Sequence, residues 1–137
     1  MSNPLVRNIL AAVAGVIVAG FAVGIVESAG HLIFPPPAGL DITNPDDQAR
    51  LMEIIPLGAK IAVVVAWFTG AIAGIATARK ISTRNWPAWV PMLLMIAASV
   101  WTTTLFPHPV WMVVCAVVLP LIALYLIGRF IPCLLYT

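Results

Sequence analysis

The chain has 137 residues, 62% of them apolar and 9% charged. A soluble domain carries about 25% charge, so this composition excludes a water-covered globule and defines one integral membrane domain. The net charge of +2 includes no basic cluster larger than three residues, which excludes a nucleic-acid surface.

The first apolar segment runs from Leu5 to Ile33. Arg7, an apolar run and the small residues Ser28, Ala29 and Gly30 imitate a secretory signal. The run from Ile9 to Val26 is 18 residues, longer than a usual signal core, and is read as a retained span. A membrane core of about 30 Å needs about 20 helical residues. Three more segments meet that length: Leu57 to Ala78, Pro87 to Phe106, and Val110 to Arg129. Pro87 and Pro109 suit the start of a helix, where a missing N–H costs nothing.

Between the first two spans, Pro35, Pro36 and Pro37 favour extended backbone and Gly39 permits a turn. The stretch that follows Asp41 then predicts a short helix. Asn44 is placed to cap it, Pro45 to begin it, and Asp46 and Asp47 to sit at its positive end. Leu51, Met52 and Ile55 are expected on the membrane surface, with Pro56 bending the chain into the second span.

Charge orients the topology. All five acids (Glu27, Asp41, Asp46, Asp47, Glu53) lie between residues 27 and 53, with Arg50 and Lys60 near them. Arg7, Arg79, Lys80, Arg84 and Arg129 gather on the opposite side of a four-span chain, so the positive-inside rule predicts both termini in the cytoplasm. Trp86 and Trp89 fit the inner aromatic belt and Trp111 the outer one. The expected fold is therefore all-α, an integral membrane four-helix bundle with a structured outer loop carrying a short helix.

Small residues recur at four-residue steps. Ala12, Gly20, Gly24 and Ser28 do so in the first span, with Val16 filling the gap. Ala62, Ala66, Gly70, Gly74 and Ala78 make an unbroken series in the second. Such spacing lets backbones approach in lipid, either between these two spans or between copies or partner chains. Trp67 lies deeper than the other tryptophans and either packs between helices or lines a quinone, lipid or pigment pocket. Pro120 removes a hydrogen bond to Ala116 and predicts a kink. Cys115 and Cys133 are about 27 Å apart if helical, beyond disulfide reach. No spacing of Cys, His or glycine marks a metal centre, redox site or phosphate loop, and no cofactor is expected.

Glu27 and His31 lie within about 40° of each other on a helical wheel, on the side of Gly20 and Gly24. Counting from Arg7 and Arg79 puts Glu27 and Lys60 at similar depth near the outer boundary, and His108 follows the third span at that level. Glu27, His31, Lys60 and His108 thus form a candidate cluster, with Glu27 paired to Lys60. It reads as a structural ion pair, a proton- or ion-handling site, or a metal site.

The run Glu27-x3-His31-x3-Pro35-Pro36-Pro37-x-Gly39 resembles a group of small four-span bacterial membrane proteins without an assigned activity. The resemblance covers the first span and the loop after it. It implies a bacterial inner-membrane protein, and it transfers no catalytic residues. Two function classes follow. One is a non-enzymatic accessory or assembly subunit, in contact with lipid and with a membrane-protein partner or further copies of itself. The other is a small transporter or membrane enzyme using the Glu/His/Lys cluster; the few polar groups at mid-span, mainly Thr69, Ser99 and Cys115, count against a transporter.

Overall fold

In the computed structural model, which describes residues 3–133, the chain forms α1 (Pro4–Ile33), α2 (Pro45–Ile54), α3 (Leu57–Ile81), α4 (Trp89–Leu105) and α5 (Val110–Phe130). A 3-10 turn, Trp86–Ala88, leads into α4. Four stretches are long and apolar enough to cross a membrane: α1, α3, the turn with α4, and α5. The fold is an all-α membrane four-helix bundle with the short α2 in its first connection.

Local chemistry sets the helix ends. The Asn3 side chain accepts a hydrogen bond from the Leu5 amide, with Pro4 opening α1. The Asn44 side chain accepts from the Asp46 amide at 3.0 Å, with Pro45 opening α2. Each cap satisfies an orphan donor, and each proline has no donor to orphan. Pro56 separates α2 from α3 in extended conformation. At 30 residues α1 is about 45 Å long, more than a bilayer core requires.

The central helix is α3, which packs against α1, α4 and α5. Its Ala66, Gly70 and Gly74 are buried. Backbone meets backbone at Gly15 of α1. A Cβ on Gly15 would stand 2.7 Å from the Gly74 carbonyl oxygen, and one on Gly74 would stand 2.7 Å from the Gly15 carbonyl oxygen. The buried face of α1 is Asn8, Ala11, Ala12, Gly15 and Ala19. This corrects the first alternative at Gly20 and Gly24, that they pack against the second span. Both are exposed, and a Cβ on either would meet nothing within 4 Å. The seam follows Ala11, Gly15 and Ala19, one residue out of phase, because that series has no Val16 to hold the backbones apart.

Ile75, Met92, Met112, Pro91 and Pro120 fill the interior. α5 continues through Pro120 as one helix. Hydroxyls within the spans bond to carbonyls of their own helix: Thr69 to Val65, Thr77 to Ala73, Thr102 to Ser99 and Ser99 to Met95. This spares each the cost of an unpaired polar group away from water.

One end of the bundle gathers Arg7, Arg79, Arg84 and Arg129. Arg79 is buried, and its Nε donates to the Ile131 carbonyl at 2.7 Å. Its other nitrogens donate to the Gly128 carbonyl and the Asn85 side chain, both at 3.3 Å. A cation thus closes the negative end of α5. Arg7 donates to the Ile81 carbonyl at 2.7 Å, and the Thr83 amide donates to the Asn8 side chain at 2.8 Å. Cys133 folds back off the helix axis, and its thiol donates to the Arg84 carbonyl at 3.3 Å; it and Cys115 are both free.

Candidate functional site

At the opposite, acidic end the helices spread around a cavity of about 320 Å³. Four elements build it. α1 contributes Glu27, Gly30 and His31, with Phe34 just beyond its end; α2 and its last turn contribute Leu51, Met52 and Ile55. α3 contributes Ala59, Ala62, Val63 and Trp67, and the end of α4 and its following loop contribute Thr102, Phe106 and His108.

Glu27 and His31 reach the cavity because they continue the packed seam. Ala11, Gly15, Ala19, Val23, Glu27 and His31 are one series of four-residue steps. The small members let α1 and α3 touch. Further along, residues of α2 and the extended loop join the wall, and the same face opens on the chamber. Gly30 still lies close to α3, where an added Cβ would be 3.3 Å from that of Ala62.

The cavity unites three of the four residues of the sequence-derived cluster: Glu27, His31 and His108. Lys60 is not in the wall. The ionisable neighbour of Glu27 is His31, one turn along its own helix, so the Glu27–Lys60 pair is not what the structure builds. Matched depth alone does not pair them: Lys60 lies in the first turn of α3 and does not line the cavity. Among the described residues, no group of three or more His, Cys, Asp or Glu is placed to hold a metal ion.

Trp67 is buried and forms one wall; its ring centroid lies 5.8 Å from that of His108, tilted by 43°. Phe106 meets the other side of His108 edge-on. The His108 Nδ1 lies 2.8 Å from the Phe106 carbonyl oxygen. A carbonyl only accepts, so Nδ1 carries a proton, and in a neutral ring that leaves Nε2 as an acceptor. Leu51, Met52 and Ile55 point into this chamber, with Met52 buried. That these side chains line a cavity is not foreseen in the sequence reading.

The outer loop is held by its own polar groups. Asp41 accepts from the Thr43 hydroxyl at 2.7 Å and the Thr43 amide at 2.9 Å. These bonds hold its carboxyl below the usual range. The Asp41 amide donates to Asp47 at 3.0 Å, and Gln48 donates to the Ile42 carbonyl at 2.7 Å. Gly39 has φ +85°, which a side chain would strain. Pro35 and Pro36 are exposed, Pro37 is half-buried, and Pro36 reaches the cavity wall.

A second surface lies on the outside of α1. Gly20, Phe21, Gly24, Ile25, Ser28, Ala29 and Leu32 line an open groove of about 710 Å³. Ser28 turns its hydroxyl to the Gly24 carbonyl at 2.7 Å, so the groove presents an almost wholly apolar floor.

These features define a multi-pass helical membrane protein with a pocket at its acidic end and an open small-residue face on its first span. No family model, curated protein or solved structure matches the chain. Sequence reasoning missed Arg79 as a buried cap and Asn8 as a loop anchor; a lone Asn among apolar residues was the available signal for the second.

Proposed function

We propose that this is a non-enzymatic accessory or assembly subunit of a larger membrane complex, docked through the Gly20–Gly24–Ser28 face of α1. The observation that carries the reading is the groove along that face. The chain itself demonstrates what such a surface does when occupied: Gly15 and Gly74 bring two helices to backbone contact. In lipid, close packing of this kind is a main source of helix association. The bundle interior is filled by Ile75, Met92, Met112 and Pro120, which favours a scaffold over a conduit. The partner proposed is a transmembrane helix of another protein, in a bacterial inner membrane, with both termini of this chain in the cytoplasm. The resemblance of the Glu27–Gly39 run and the charge asymmetry support that setting.

Gly24→Leu tests the docking face. A Cβ there meets nothing within 4 Å and leucine is the better helix former, so the isolated bundle should melt no lower than before. Purified in mild detergent, the unaltered chain should elute in a stoichiometric assembly with a different membrane protein, and Gly24→Leu should elute alone. A solitary or purely self-associated wild type, or an assembly indifferent to Gly24→Leu, refutes the proposal.

A further inference from the structure

The geometry points to a second activity: we propose that the cavity at the acidic end binds a small organic cation, a protonated amine on an apolar or aromatic body. The site is independent of the α1 groove and stands whether or not that face docks a partner.

Charge is the first argument. With histidine counted as neutral, Glu27 supplies the only formal charge among the lining residues. Lys60, the partner read from sequence, is outside the wall, and the ionisable neighbour of Glu27 within it is His31. A carboxylate in a mostly apolar chamber that holds no Lys or Arg is costly without a full counter-ion, and a bound ammonium supplies one. The wall also offers the right second acceptor. With its Nδ1 proton held by the Phe106 carbonyl, His108 keeps Nε2 free to accept from an N–H donor.

The remaining surface suits the body of such a ligand. Trp67, Phe34 and Phe106 present aromatic rings, and Met52, Ile55 and Val63 complete an apolar lining. Aromatic faces attract ammonium groups through their quadrupole. The volume of about 320 Å³ is at the lower end of the range for small-molecule sites, about 300–1,000 Å³. Outside the chamber, the loop and α2 carry Asp41, Asp46, Asp47 and Glu53 against the single base Arg50. This negative rim raises the local concentration of cations.

The test uses phenethylammonium and its uncharged analogue 2-phenylethanol, titrated calorimetrically against the full chain in lipid nanodiscs at neutral pH. The cation should bind at one site and at least about tenfold more tightly than the alcohol, since a paired buried charge is worth more than that ratio. Glu27→Gln should bring the two to parity. Ala59→Phe, which fills the chamber and leaves Glu27 in place, should remove binding of both. Equal affinity for the two probes, a preference that survives Glu27→Gln, full binding by Ala59→Phe, or no saturable binding each overturns the proposal. If Glu27→Gln fails to fold, the wild-type charge preference and the Ala59→Phe result still decide it.

Discussion

Gly74→Ala and Gly24→Ala are the same chemical change on two glycine faces, and their effects should have opposite signs. At Gly74 the new methyl would stand 2.7 Å from the Gly15 carbonyl oxygen, 2.8 Å from the Ala19 Cβ and 3.1 Å from the Pro91 Cβ. None of these atoms belongs to a side chain that can rotate away, so α1 and α3 must separate. Overpacking of this kind costs about 1–3 kcal/mol, centred near 2. Alanine recovers up to about 1 kcal/mol through its better helix propensity. The net expectation is a loss of about 1 kcal/mol or more. At Gly24 a Cβ meets nothing within 4 Å, so only the propensity acts, and the monomer should gain about 0.5–1 kcal/mol. Equilibrium unfolding of the monomer in mixed micelles, followed by circular dichroism, measures both. Gly15→Ala with Gly74→Ala should also be non-additive, because the two methyls press on one contact. Losses of equal size at Gly74 and Gly24, or simple additivity at Gly15 and Gly74, would refute the assignment of the seam.

Arg79→Met should destabilise the bundle by about 2–4 kcal/mol, because it strips the Gly128 and Ile131 carbonyls of a charged donor, and Arg79→Lys should restore only part, lacking the planar fork; an unchanged melting temperature would show that water replaces the guanidinium. Asp41 has its folded-state pKa below its unfolded value, so its contribution to the loop is complete above the unfolded value and is lost as pH falls through the folded one. Amide exchange across residues 41–48, corrected for intrinsic rate, should therefore rise on acidification, and Asp41→Asn should remove that pH dependence; a flat profile in the unaltered chain would sink the claim. The proposed orientation predicts that single cysteines at Asp46 and Lys80, both exposed, label from opposite sides of the membrane, and labelling of both from one side would overturn it.

The spans and the short helix were legible because they obey local rules. Asn44 followed by Pro45, Asp46 and Asp47 is a helix start whatever surrounds it, and long uncharged stretches announce their own burial in lipid. The seam between α1 and α3 was harder. Two small-residue series lie side by side on α1, and the choice between Ala11–Gly15–Ala19 and Gly20–Gly24–Ser28 depends on the partner helix. Glu27 and His31 were found by their rarity in an apolar run, and His108 by depth. Lys60 has the right depth too, but depth does not encode which way a side chain points. Arg79 looked like an ordinary cytoplasmic flank; its burial arises from residues 128–131, about fifty positions away, which no local pattern reports.

The two ends of the molecule are tied differently. At the basic end, side-chain hydrogen bonds join positions far apart in sequence: Arg7 to Ile81, Asn8 to Thr83, Arg79 to Ile131 and Cys133 to Arg84. At the acidic end the bonds around α2 stay within the loop, from Asp41 to Thr43 and Asp47 and from Gln48 to Ile42, while Leu51, Met52 and Ile55 meet the bundle through apolar contact. The bundle is thus built like tongs, riveted at one end and sprung at the other. Among the described residues no side-chain hydrogen bond ties α2 to the spans, so this wall of the chamber can shift while the riveted end holds the helices in register.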